Sequence, residues 1–299
     1  MTGRCAAGWL GWLLAAAYCG AAMADGNAVR MPVPAGALPR PDHVVIVLEE
    51  NRAYGQVIGS AAAPYINRLA RGGAIFTNAY AITHPSQPNY LALFSGSTHD
   101  VLDNRCPLRL AGENLASALA RRSLRFGIYS ESMPSAGFEG CASATNAYAR
   151  KHNPAVNWQG VNVAPEANLP FDRFPTDLST LPTVAIVVPN QTNDMHDGAS
   201  ASAAVTQGDS WLGSHLNAYV QWARAHNSLL IVTWDEDDGS DGNHIPTVLA
   251  GPMVRSGSYG ARIDHYSILR TLCEMYGLQA PGKAAQAAPI GGVWTWAGK

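Results

Sequence analysis

Three uninterrupted apolar runs constrain this chain more than anything else in it: His43 to Leu48, Thr183 to Val188 and Ser228 to Thr233. A strand wetted on one face alternates apolar and polar residues, so a run without alternation needs cover on both faces. Strands of that kind occur in parallel sheets, whose crossover connections lay helices on each side. Leu124 to Tyr129, Ala74 to Tyr80 and the short Pro246 to Ala250 read as further strands. Between them lie helical stretches. One ends over Asn67 to Arg71 at Gly72-Gly73, and a second spans Glu113 to Arg122. A third, from about Ser210 to Ala225, puts Leu212, Leu216, Tyr219, Val220 and Ala223 on one face. A fourth is capped by Asp264, carries Ile268, Leu269, Leu272 and Tyr276, and stops at Gly277. This order predicts an α/β fold, a mainly parallel sheet with helices on both faces.

Residues 1–24 have the pattern of a secretory signal: Arg4, an apolar stretch from Trp9 to Ala22, and small residues ahead of Asp25. The pattern implies a secreted or periplasmic protein with no stable membrane span once the signal is removed. A proline-rich leader fills 25–41, the main domain runs over 42–278, and a tail rich in Ala, Gly and Pro, expected to be loosely ordered, occupies 279–299. Within the domain, 131–177 has little periodicity and reads as a loop-rich insertion. Export into oxidising surroundings makes Cys106 and Cys141 a plausible disulfide and leaves Cys273 as a buried thiol on a helix. A net charge of −2 offers no basic face for nucleic acid.

Ligand chemistry in such sheets lies beyond the carboxyl ends of the strands, and the polar clusters fall there. Glu49, Glu50 and Asn51 follow the first strand; Asn190, Asp194, His196 and Asp197 follow the second; Asp235, Glu236, Asp237 and Asp238 follow the third, with His244 close behind. So many carboxylates at one edge repel unless a cation lies among them, which implies a divalent metal, with Mg, Ca, Mn and Zn all admitted. An EF-hand reading of the run from Asp235 fails on spacing, because counting from Asp237 puts Val248 where a bidentate Glu is needed. Ser86, between Pro85 and Pro88 and ahead of an apolar run, reads as a hydroxyl at a helix N-terminus, where the dipole favours a phosphate and an alkoxide. His84, His99, His215 and His226 read as packing or helix-surface histidines.

These residues together resemble the bacterial phosphoesterase family of secreted acid phosphatases and phospholipase-C-type enzymes, within the alkaline phosphatase superfamily. The resemblance is carried by Glu49-Glu50-Asn51, by Thr83 to Tyr90, by Asn193 to Gly198, by Trp234-Asp235-Glu236 and by Asp264 to Ser267, and it covers about Asp42 to Leu278. It implies an alkaline-phosphatase-like fold and a phosphoryl-enzyme mechanism with Ser86 as nucleophile. The implied metal ligands are Glu50, Asn51, Asp235, Glu236 and Asp194. Asn51, Asn89 and His265 would contact substrate, and His196 or His244 would protonate the leaving oxygen. Two-metal relatives carry histidines where this chain has Asp194 and Glu236, so one metal is expected.

The implied reaction is hydrolysis of phosphate monoesters on a small phosphorylated substrate, with phospholipid and phosphoinositide as further candidates. A phosphodiesterase or phospholipase C is the alternative. It needs an apolar wall for the second substituent, for which Phe138, Tyr148, His152, Trp158, Phe171 and Phe174 are candidates. A non-catalytic, metal-stabilised binding protein is the third reading, and it leaves the Ser86 run without a purpose.

Overall fold

The computed structural model describes residues 38–295, so the signal-like segment and most of the leader lie outside the described residues. Among the described residues ten strands form: β1 (His43–Glu49), β2 (Ala74–Phe76), β3 (Ala79–Tyr80), β4 (Phe126–Ser130), β5 (Asn168–Pro170), β6 (Val184–Val188), β7 (Ser228–Trp234), β8 (Thr247–Ala250), β9 (Gly257–Tyr259) and β10 (Ile263–Asp264). Eight of them build one sheet in the order β5-β4-β6-β1-β7-β8-β2-β9. Its centre, β4-β6-β1-β7, is parallel throughout, and β8 runs antiparallel to both of its neighbours. The strands β1, β6 and β7 are buried at almost every position, as their unbroken apolar sequence requires.

Six α-helices among the described residues cover this sheet: α1 (Tyr54–Val57), α2 (Pro64–Gly72), α3 (Ser86–Ser95), α4 (Leu115–Ala120), α5 (Ala201–Ala225) and α6 (His265–Tyr276). They pack in two groups, α3 and α4 on α6 and α1 and α2 on α5. The α/β architecture with helices on both faces is therefore the one expected from the sequence. Among the described residues no helix is long and apolar enough to cross a membrane.

Local departures from the expected elements have physical causes. The run Ala74 to Tyr80 breaks at Thr77-Asn78 and its two halves join different sheets, because β3 pairs with β10. Helix α5 starts at Ala201 rather than near Ser210, with the Ser200 side chain accepting from the Ala203 N–H. The residues its first turns bury, Ala204, Val205, Gly208 and Asp209, are small or polar, so these turns lack the large apolar stripe that marks the rest. Buried Asp209 in α5 accepts from Tyr65 N and Ile66 N at 2.9 and 2.8 Å, which satisfies the free amides at the start of α2. The insertion 131–177 is less irregular than expected: β5 pairs with β4, and short 3₁₀ turns follow one another along it. The expectation of a loosely ordered tail is corrected: Ile290, Val293 and Trp294 are buried, the Thr271 hydroxyl accepts from Ile290 N, and Thr295 N donates to Met253 O. Single large apolar residues spaced among Ala and Gly carry that packing without any periodicity.

Candidate active site

Register brings the acidic tips together. Glu49 pairs across from Trp234, so the residues that follow β1 and β7 emerge side by side. Asn51 turns the chain at φ 58° and donates its N–H to Asp235 Oδ1 at 3.1 Å; Glu236 N donates to the same oxygen at 2.7 Å. Glu50 N donates to Asp194 O at 2.7 Å, which ties the loop after β6 to the end of β1. Arg52 is buried and ties the same three loops: its guanidinium donates to Asn51 O at 2.6 Å and His196 O at 3.0 Å, and its N–H to Glu236 O at 3.2 Å.

Ser86 is the first residue of α3 and is buried. Its hydroxyl donates to Glu50 Oε1 at 2.6 Å, with Glu236 Oε1 at 3.1 Å as a second acceptor. Asn89 shapes the approach to that serine. Its Oδ1 accepts from Ile82 N and Thr83 N, and its Nδ2 donates to Thr83 O and Pro85 O. Expected as a substrate contact, Asn89 instead spends its amide holding the backbone that presents Ser86.

Glu50 is the hub. His152 Nε2 lies 2.7 Å from Glu50 Oε1, Lys151 Nζ 3.3 Å from the same oxygen, and His196 Nε2 3.5 Å from Oε2. Burial alone would raise the carboxyl's pKa, but His152 first, then Lys151 and His196, outweigh it and hold Glu50 well below the usual carboxylate range. The neighbouring acids go the other way. Burial, with the charge of Glu50 next, pushes Asp194 and Asp235 well up; Glu236 is raised by burial against the opposing pull of His84. Glu49, alternating to the opposite face of the strand, is fully buried with neither carboxylate oxygen hydrogen-bonded, and burial raises it too.

This arrangement fits a divalent cation. Glu50, Asp235 and Glu236 offer ligand atoms all within 4.8 Å of one another, and so do Glu50, His152 and Asp194. Glu50 Oε2, Asp194 Oδ2 and Asp235 Oδ2 are buried without a hydrogen-bond partner. Buried carboxylate oxygens left without donors are costly, and a cation among them removes the cost.

The expected site residues divide as follows. Ser86, Glu50, Asp235, Glu236, Asp194 and His196 converge, with Asn51 contributing a backbone amide. His244 does not join them: its ring is stacked on Tyr54 and near Tyr80, with Nδ1 3.0 Å from Asp241 Oδ2 and Nε2 3.1 Å from Thr77 O. His265 is buried at the start of α6, Nε2 against Trp234 O at 2.9 Å, so it supports the end of β7 from behind. The packing role expected of His84 is corrected, since Nδ1 lies 2.8 Å from Glu236 Oε2 and Nε2 3.2 Å from Asp237 Oδ1. Lys151 was not singled out by sequence reasoning, and His152 was read only as part of an apolar wall for a diester, because both sit in an aperiodic insertion; the structure puts His152 on Glu50 instead. Cys106 and Cys141 do form a disulfide, and the buried Arg150 donates to Glu139 O and Leu108 O, so the insertion that delivers Lys151 and His152 is anchored.

Residues 60–279 match the model of the phosphoesterase family. The chain belongs to the phosphoesterase family. It is 47% identical over 272 residues to a phosphatidylinositol-3-phosphatase of Mycobacterium tuberculosis, covering 90% of this chain and 88% of that one. Against a phosphate-repressible acid phosphatase of Penicillium chrysogenum it is 33% identical over 73% of its length, and it spans 55% of that longer protein. Among solved structures, a protein in the alkaline phosphatase superfamily from Vibrio parahaemolyticus superposes with a TM-score of 0.54 at 13% identity, over 85% of this chain and 71% of the other. That superposition bears on the fold, and the sequence relatives bear on the chemistry. This phosphoesterase is a hydrolase of phosphoric ester bonds.

Proposed function

We propose that this phosphoesterase is an exported, divalent-cation-dependent phosphomonoesterase that turns over through a phosphoserine at Ser86. One observation carries the reading: a buried serine hydroxyl at a helix start, 2.6 Å from Glu50 Oε1 and 3.1 Å from Glu236 Oε1. A serine so placed can lose its proton to a carboxylate as it attacks, and the helix terminus favours the phosphoryl charge. Ser86 Oγ bonds to phosphorus while the bond to the leaving oxygen breaks; the serine proton passes to Glu236 and the leaving oxygen takes a proton from His196. Water then attacks phosphorus and gives its proton to His196, while the bond to Ser86 Oγ breaks and Oγ takes its proton back from Glu236, which releases phosphate. Lys151, beside Glu50, supplies fixed positive charge to the phosphoryl oxygens. Glu50, Asp235 and Glu236 would hold a cation, which when bound neutralises phosphoryl charge and acidifies Ser86.

Monoesters are favoured over diesters by the fate of the insertion's aromatic residues. Tyr148 and Trp158 are buried, Phe138 packs on Tyr148, and Phe171 and Phe174 pack on each other and on Trp211 and Tyr129. They are committed to holding the insertion down rather than to lining a wall for a second substituent. The Mycobacterium relative's name supports the reading that phosphoinositides are among the substrates. The disulfide accords with an oxidising compartment.

The test is Ser86→Ala assayed on p-nitrophenyl phosphate and on soluble phosphatidylinositol 3-phosphate after chelation and metal add-back. The variant should fold and lose about three or more orders of magnitude in kcat. Retained turnover would remove Ser86 from the role, and cation-independent activity would remove the metal.

A further inference from the structure

His84 has two sides. One reaches Glu236, which in turn accepts from Ser86; the other is open, because the His84 side chain is 45% exposed and lines a cavity of about 530 Å³ with Tyr80, Ile82, Asp237, Asn243 and Arg262. The cavity thus adjoins the carboxylate that accepts from Ser86.

One acid and one arginine line this cavity, and only the acid is saturated. Asp237 is fully buried and saturated: Oδ1 accepts from Gly239 N and meets His84, while Oδ2 accepts from Asp241 N and Asn243 N at 2.7 and 3.0 Å. Arg262 has no carboxylate partner among the described residues, as is also true of Arg68, Arg71 and Arg255, but of these it alone lines the cavity. Its guanidinium lies over the Tyr80 ring at 4.1 Å. Tyr80 stacks against His244 at 5.1 Å, and His244 against Tyr54 at 4.7 Å. Three rings thus fix the platform on which the arginine rests. A planar guanidinium held in place and left without an anion is built for bidentate recognition of phosphate or carboxylate.

We infer that the cavity beside His84 receives the leaving alcohol and that Arg262 pairs with a second phosphoryl anion carried on that alcohol. This assignment rests on the reading of Ser86 as nucleophile. It makes Arg262 a specificity-determining residue and gives the stack of Tyr54, His244 and Tyr80 a purpose outside the proton transfers. A leaving alcohol without a second charge gains nothing from Arg262. The second phosphoryl group could be a free phosphate or the diester of a lipid headgroup, and the choice of substrates separates the two.

The experiment compares kcat/KM for inositol 3-phosphate, inositol 1,3-bisphosphate and dihexanoyl phosphatidylinositol 3-phosphate in the wild type, Arg262→Gln and Arg262→Lys. The preference for the doubly anionic substrates over inositol 3-phosphate should fall about tenfold in Arg262→Gln, less in Arg262→Lys, and should shrink with added salt in the wild type. A fall for both doubly anionic substrates assigns the phosphoryl group itself; a fall for the lipid alone assigns the headgroup diester, and a fall for the bisphosphate alone assigns a free phosphate. An unchanged preference, through equal losses or none, overturns the assignment. Should the wild type hydrolyse no monoester, the Ser86 reading fails on its own. Calorimetric titration of the wild type with inositol 1,3-bisphosphate then decides the cavity: binding weakened by Arg262→Gln supports it, and binding that is absent or indifferent to the substitution overturns it.

Discussion

Glu50 is approached from two sides that are built by different means. On one side Ser86, Asp235 and Glu236 stand on the ends of packed elements, fixed by strand register and by amides that donate to Asp235 Oδ1. On the other, Lys151 and His152 come from an insertion of short turns, held by a disulfide, by Arg150 and by Asn153, whose amide donates to Asn168 Oδ1 at 2.7 Å. The first side inherits its precision from the sheet; the second has to be tethered. Losses of function on the two sides should therefore differ in kind, one chemical and one conformational.

Glu50→Gln removes the group both sides share and gives the largest effect expected. It leaves the shape and takes away the charge, so kcat/KM on p-nitrophenyl phosphate should drop about a thousandfold or more while circular dichroism stays native. More than a tenth of wild-type activity in a folded variant would show that the two sides do not meet at this carboxylate. Splitting the comparison comes next. His152→Gln, which takes a buried imidazole from Glu50, should cost about a hundredfold in kcat, and His84→Gln, half exposed on the other side, about tenfold. Equal losses would erase the distinction.

Cutting the tether separates chemistry from conformation. Cys106→Ser with Cys141→Ser frees a loop closed across 35 residues and should lower stability by about 2–4 kcal/mol in a denaturant titration. Under conditions where the protein is still folded, turnover should fall by less than in His152→Gln, about fivefold, since Arg150 and Asn153 still hold the turns. A reduced protein as active and as stable as the oxidised one would mean the insertion is self-supporting.

The same division explains what could be read in advance. β1, β6 and β7 were legible because a strand buried on both faces has no choice of composition, and the acids at their ends were legible because strand ends in such sheets converge. His152 was legible only as a ring that could line a wall: nothing in Arg150-Lys151-His152 marks it as a partner of Glu50 until the insertion folds back on β4. His84 and His244 exchanged roles for a related reason. Each stands in a loop near an acidic cluster, and only the packing of Tyr54 and Tyr80 decides which ring is stacked and which faces Glu236. Asp209 gave no signal either, since a lone acid in a helix does not announce the helix start it will cap.

The smallest effect is a pH dependence, and its sign tests whether the acids at the strand tips are in balance without a cation. Asp194, Asp235 and Glu236 are raised by burial and by Glu50, so the folded chain keeps protons that the unfolded chain has released. A carboxyl raised on folding adds stability below the ordinary carboxylate range and loses it as pH climbs through its folded value. Glu50 has the opposite sign, but its contribution is lost only in strong acid, and His152 and His265, lowered by burial, oppose the decline only below the ordinary histidine range, about pH 6.5. In chelator, Tm should therefore decline from about pH 6.5 to pH 8 by a few degrees, and Asp235→Asn should flatten the decline. A bound cation stabilises the ionised acids, so the gain in Tm on adding Ca, Mg, Mn or Zn should grow with pH over the same interval. A Tm that rises through this window in chelator, with a slope indifferent to Asp235→Asn, would mean that the sheet holds these carboxyls as ordinary solvated acids, and the rigid side of Glu50 would then need no ion to be rigid.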